Sequence, residues 1–147
     1  CGLLEGGLSP DNDTHYIGYI AGFFAILGHV FPLYYGFKGG KGVLVGVSTF
    51  IAVDPLLFFI LILVFAIVLS VSKYVSLASI IASSLCPLAT YLLHLFVFTD
   101  SLSYTVLYSL LALVMASVVV YMHKSNIVRL KNGNENKFSF KSKHTKE

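Results

Sequence analysis

Two lysines three positions apart, Lys38 and Lys41, bracket a pair of glycines, and a third glycine follows to give FKGGKG at residues 37–42. Gly39, Gly40 and Gly42 can turn backbone N–H groups toward a ligand with no Cβ in the way, and the lysines add positive charge. Those are the parts of a cradle for a phosphate or a carboxylate. Lys41 is followed by Gly42, where a nucleotide-binding P-loop needs Ser or Thr, so nucleotide hydrolysis is not indicated. The wider stretch Gly28 to Val43 reads GHVFPLYYGFKGGKGV and adds His29 and Pro32. A histidine near the end of an apolar helix is ordinarily a packed, hydrogen-bonded residue; the cradle beside His29 makes it a catalytic candidate as well.

His123, Asn126 and Arg129 recur every three residues, and on a helix they share one face and can meet one site. The competing reading is a juxtamembrane basic helix lying on anionic lipid, which Asn126 fits poorly because it brings no charge. Glu135 is a lone acid among bases, and its expected role is a structural ion pair with Arg129 or a lysine. Ser76 and Ser79 fall in a turn between apolar runs, where one hydroxyl could cap the next helix or reach a phosphate. His94 and Asp100 resemble the acid–base pair of soluble acyltransferases. The spacing is six rather than five, however, and Asp100 falls on the far side of the membrane from the cradle, so that reading is rejected. Cys1 and Cys86 form no CxxC pair, and neither a disulfide framework nor a metal site is expected.

The elements that must hold these groups are membrane spans. The 147 residues are 12% charged and 56% hydrophobic, against roughly 25% charged in a soluble domain, and the apolar residues come in blocks too long for a soluble core. The expected fold is all-α, a polytopic membrane helical bundle of about five spans in one domain of residues 1–135. An external loop covers 1–15, and the spans cover 16–37, 42–53, 56–72, 77–97 and 104–122. A segment at 123–135 follows, and then a basic tail at 136–147 that reads as disordered. Gly18 and Gly22 are spaced to let a neighbouring helix come close. Only 31 residues separate Lys41 from Lys73, too few for two spans of about 20 each. A short half-helix starting near Val43 would therefore aim its positive end at the cradle. Tyr34, Tyr35 and Tyr74 read as interfacial belt residues.

With five crossings all ten Lys/Arg fall on one side, while Glu5, Asp11, Asp13, Asp54 and Asp100 fall on the other. The positive-inside rule makes the basic side cytoplasmic, which brings the cradle, the turn at Ser76 and the His123 segment to one face. The absence of an initiator Met and of a basic leader suggests a truncated chain or partial reading frame.

GHVFPLYYGFKGGKGV, with KYVSLASI at residues 73–80 and HKSNIVRLKNGNE at residues 123–135, resembles the acyl-phosphate-dependent glycerol-3-phosphate acyltransferases, the PlsY family of bacterial membrane enzymes. Three motifs in the right order make the resemblance specific. It implies acyl transfer from acyl-phosphate to the 1-hydroxyl of glycerol-3-phosphate, giving lysophosphatidic acid for phospholipid synthesis in the bacterial inner membrane. It further implies Lys38, Gly39, Gly40, Lys41, Gly42, Ser76 and Arg129 on phosphate, and His29, His123 and Asn126 at the reacting hydroxyl. Glycerol-3-phosphate, acyl-phosphate and membrane lipid are the expected partners, with no cofactor and no nucleic acid. The family's further motif, of the form SGNxGATNxxR, has no counterpart here, and the chain alone is accordingly expected to be inactive. An anion transporter or channel fragment, and an inactive membrane subunit, are the alternatives.

Overall fold

The computed structural model describes residues 10–32 and 39–138; Lys38, Tyr34, Tyr35 and most of the basic tail lie outside the described residues. Six helices follow one another: α1 (Pro10–Val30), α2 (Val43–Val53), α3 (Pro55–Ser72), α4 (Val75–Phe96), α5 (Leu102–Met122) and α6 (Lys124–Lys131). Among the described residues there is no strand. The chain is an all-helical membrane bundle, as its composition requires. α3, α4 and α5 are each long and apolar enough to cross a bilayer, whereas the apolar part of α1, His15–Val30, and α2 are shorter.

Helix bounds follow from local chemistry. α1 begins at Pro10, inside the stretch expected as a loop (residues 1–15), and ends at Val30. Proline at the first helical position has its φ preset and no N–H to lose, so a polar, turn-like composition still starts a helix there. Asp54 closes α2 and opens α3: its side chain accepts the Leu57 N–H at 3.3 Å, and Pro55 stands at the first position of α3. α3 stops at Lys73, in the left-handed region at φ 65.

Packing runs around a ring: α3 on α4, α4 on α5, α5 on α1, α1 on α2, with lighter contact between α2 and α3. Gly18 and Gly22 face α2, where a Cβ on Gly22 would collide with Thr49 and one on Gly18 with Val53. That spacing is what brings α1 and α2 together. Leu57 is the buried residue of α3, so most of its apolar side chains are left to lipid. The described lysines and arginine, Lys41, Lys73, Lys124, Arg129, Lys131 and Lys137, gather at one end of the bundle, with Asp54 and Asp100 at the other.

Candidate active site at the basic end

The short helix α2 starts from a cradle. Its N-cap is Gly42, held at φ 77, a conformation costly for any residue with a Cβ. A Cβ there would also come within 3.2 Å of Ile26 and 3.3 Å of Val30 on α1, and 3.5 Å of Val119 on α5. Among the described residues no side chain caps α2, so the N–H groups of its first turn and the positive end of its dipole are left for another acceptor. Lys41, exposed, stands immediately before them. This is the arrangement in which a helix start receives an anion.

Gly39 and Gly40 lie against α1. The Gly40 N–H donates to the His29 carbonyl at 3.2 Å, and a Cβ on Gly40 would run into the His29 ring. His29 itself is exposed, and its ring braces the loop.

His123 sits at the junction of α5 and α6, 2% exposed. Its Nδ1 donates to the Val119 carbonyl at 2.8 Å, which leaves Nε2 with a lone pair whenever the ring is neutral. Burial pushes the pKa of His123 down, and the charge of Lys41 pushes the same way, against the Val119 carbonyl and Glu135. The ring is thus held neutral at pH 7, with an acceptor nitrogen in the electrostatic neighbourhood of Lys41.

Glu135 is a hub rather than a simple ion pair. Its Oε1 accepts from Ser76 Oγ at 2.6 Å and from Asn126 Nδ2 at 2.7 Å; its Oε2 accepts from Arg129 Nε at 2.8 Å. These three donors, the Ser76 hydroxyl first, hold its carboxyl down to about 2. Ser76, expected as a cap or a phosphate ligand, is the second residue of α4 and spends its hydroxyl proton on Glu135. Arg129 keeps its terminal nitrogens, with its side chain 47% exposed. Because Asn126 turns its NH₂ to Glu135, its Oδ1 faces away, buried and with no hydrogen-bond partner among the described residues. A buried acceptor without a partner calls for a donor, an N–H or an O–H.

An apolar cavity of about 230 Å³ starts beside this group. Gly42, Ser79 and Val119 line it near the cradle, and Phe50, Phe58, Cys86 and Met115 line it toward the middle of the bundle. The cradle and the cavity share Gly42 as a wall.

Sequence reasoning set aside one group that the structure assembles. His94 lies 2.7 Å from Asp100 and 3.1 Å from Asp54, at the end opposite the cradle. The signal was present in the sequence as ionisable residues beside apolar spans, but Asp54 lies 40 residues from His94 and only the fold pairs them.

A sequence model of the family described as "Glycerol-3-phosphate acyltransferase" matches residues 5–133. The glycerol-3-phosphate acyltransferase of Fusobacterium nucleatum is 42% identical over 121 residues, which is 82% of this chain and 58% of that protein. The Staphylococcus aureus (strain JH9) glycerol-3-phosphate acyltransferase is 37% identical over 123 residues, 84% of this chain and 56% of that protein. The chain therefore spans little more than half the length of these curated relatives. Crystal structures of PlsY (YgiH), an integral membrane glycerol 3-phosphate acyltransferase, are similar too. The glycerol 3-phosphate form gives a TM-score of 0.68 at 30% identity, covering 85% of this chain and 68% of that one. The lysophosphatidic acid form gives 0.67 at 30% identity, covering 86% and 69%.

Proposed function

Because this chain belongs to the glycerol-3-phosphate acyltransferase family, we propose that its site takes part in acyl transfer from acyl-phosphate to the 1-hydroxyl of glycerol-3-phosphate. The product is lysophosphatidic acid, the start of phospholipid synthesis. The observation that carries the reading is the shared wall: an anion cradle at the start of α2 opens directly onto an apolar cavity at Gly42. One substrate is a small dianion and the other a phosphate on a fatty chain, and each finds its match there.

The glycerol-3-phosphate phosphate lies on Lys41, the first N–H groups of α2 and the free edge of Arg129, with Lys38, Gly39 and Gly40 completing the loop. Asn126 Oδ1 accepts one glycerol hydroxyl, and His123 Nε2 accepts the reacting one. The acyl chain occupies the cavity, with its phosphate at the mouth. The 1-hydroxyl oxygen attacks the acyl carbon, the bond from that carbon to the bridging oxygen breaks, and inorganic phosphate leaves with the electron pair. The hydroxyl proton passes to His123 Nε2 or to an oxygen of the departing phosphate. Acyl-phosphate is already activated, so alignment and charge neutralisation supply most of the acceleration. Ser76 and Glu135 fix Asn126 and Arg129, and His29 braces the loop.

The positive-inside rule argues for a bacterial inner-membrane protein with its basic end and C-terminus in the cytoplasm. An anion conduit fits less well, because below the cradle the cavity is apolar apart from Ser79 and Ser83. The test is lysophosphatidic acid formation by the natural protein in native membranes supplied with palmitoyl-phosphate and labelled glycerol-3-phosphate. Product formation that falls with Lys41→Ala and with His123→Ala supports the reading; membranes that neither bind glycerol-3-phosphate nor form product overturn it.

A further inference from the structure

One buried carboxylate gathers four helices at the acidic end. Asp54 is where α2 stops and α3 starts: its backbone N–H donates to the Phe50 carbonyl at 2.9 Å, and its Oδ1 accepts the Leu57 N–H at 3.3 Å. Its Oδ2 accepts from the Tyr19 hydroxyl of α1 at 3.2 Å and faces His94 Nε2 of α4 at 3.1 Å. The other ring nitrogen of His94 faces Asp100, in the turn before α5, at 2.7 Å, and the Asp100 N–H returns to the His94 carbonyl at 2.9 Å. Asp54 and His94 are each 1% exposed. Burying such groups beside apolar spans is costly, and the chemistry at the basic end touches none of them.

What these groups grip is the elbow between α2 and α3. α2 packs on α1, and α3 on α4, more than on each other, and the apolar cavity lies between them. Its far end is Phe50, in the last turn of α2, with Phe58 from the first turn of α3. The Phe50 ring stands edge-on to the Tyr19 ring, centroids 6.0 Å apart, and Tyr19 is the residue whose hydroxyl binds Asp54. Two lines therefore run from the clamp to the cavity floor, one through the backbone of α2 and one through Tyr19.

We propose that His94 and Tyr19, acting through Asp54, are positioning residues that set the α2–α3 separation and the depth of the cavity floor, and so the length of acyl chain the site accepts. This rests on reading the cavity as the acyl subsite. Remove the imidazole and Asp54 Oδ2 loses the ring nitrogen that faces it at 3.1 Å; swinging the elbow toward water relieves that, and carries Phe50 with it. Phe50 and Phe58 then touch the chain end, while His94 and Tyr19 never do.

The experiment has two arms. Spin labels at Leu44 and Leu63, on a chain carrying Cys1→Ser and Cys86→Ala, report the α2–α3 distance in lipid nanodiscs. His94→Leu should lengthen and broaden it, and His94→Gln, which keeps an N–H for Asp54, should restore most of the original distribution. An unchanged distribution in His94→Leu overturns the clamp whatever the enzyme does. In the second arm, acyl transfer by the natural protein in native membranes is profiled on saturated acyl-phosphates from decanoyl to stearoyl. His94→Leu and Tyr19→Phe should move the preferred chain length and shift the acyl-phosphate KM several-fold, with kcat and the glycerol-3-phosphate KM near wild type. Phe50→Leu, which leaves every polar contact alone, should lengthen the preferred chain by itself and covers the case in which His94→Leu does not fold. A wider elbow or an open floor with the same chain profile refutes the specificity claim. No turnover of any acyl-phosphate by the wild type would count against the enzymatic reading, and the distance arm would still decide the clamp.

Discussion

His123 Nδ1 donates to the carbonyl of Val119 at 2.8 Å, and Val119 also lines the apolar cavity and lies against Gly42. One residue of α5 thus holds the imidazole, walls the apolar cavity and backs the cradle. The tautomer of His123 and the position of the cavity are set together.

From this follows a pH profile. His123 has its pKa pushed below 6.5, and in the proposed mechanism its neutral ring is the working form. The acid limb of kcat/KM should therefore lie below pH 6.5. Lys41 contributes to the depression, so Lys41→Ala should move that limb upward, while His123→Ala should remove it and lower kcat by roughly 100-fold or more. A limb that stays put in Lys41→Ala would separate the two residues.

Lys41 should also divide the substrates. On the proposed reading its charge meets the phosphate of glycerol-3-phosphate, so Lys41→Ala should raise that KM by roughly tenfold or more, the size of a charge-assisted hydrogen bond. The acyl-phosphate KM should change much less. Steady-state kinetics with each substrate varied in turn decides it, and equal rises would refute the assignment.

Glu135 predicts a stability profile of definite sign. Its carboxyl titrates at about 2 in the fold against an ordinary 4.5, so the fold is stabilised by its ionised form. That stabilisation is complete above pH 4.5 and is lost as pH falls from there toward 2. Thermal unfolding in detergent should show a lower Tm for Glu135→Gln at pH 7, with the gap to wild type closing through that acid window. A gap independent of pH would rule out the carboxylate as its source.

The loop against α1 can be tested by a double substitution. Gly40→Ala drives a Cβ into the His29 ring, and should weaken glycerol-3-phosphate binding; His29→Ala in that background should restore part of it, because the obstruction is a side chain. Binding measured by calorimetry gives the coupling. Additive losses would mean that His29 acts on substrate and not on the loop.

How far the sequence carried these conclusions differs from residue to residue. The apolar blocks made α3, α4 and α5 legible, and the short interval from Lys41 to Lys73 required a stunted α2, which ends up as Val43–Val53. Pro10 was missed as a helix start because turn-like composition and a good first turn use the same residue types. At the site, the three-residue spacing put His123, Asn126 and Arg129 on one face, and Arg129 was among the expected partners of Glu135. That Glu135 would also take the hydroxyl of Ser76, 59 residues away, was not legible, nor was the Asp54–His94 pair. Periodicity reports which way a helix faces, and says nothing of which distant helix it will face.

The bond between Ser76 and Glu135 also has a meaning for biogenesis. Ser76 leaves the ribosome 59 residues before the carboxylate that fixes Asn126 and Arg129, which follows α1 to α6 in the chain. Helices α1 to α5 can insert and pair as they are translated, whereas the hydrogen-bonded cluster around Glu135 waits for residue 135 itself. A nascent polypeptide would therefore be anchored in lipid before Asn126 and Arg129 are fixed in place.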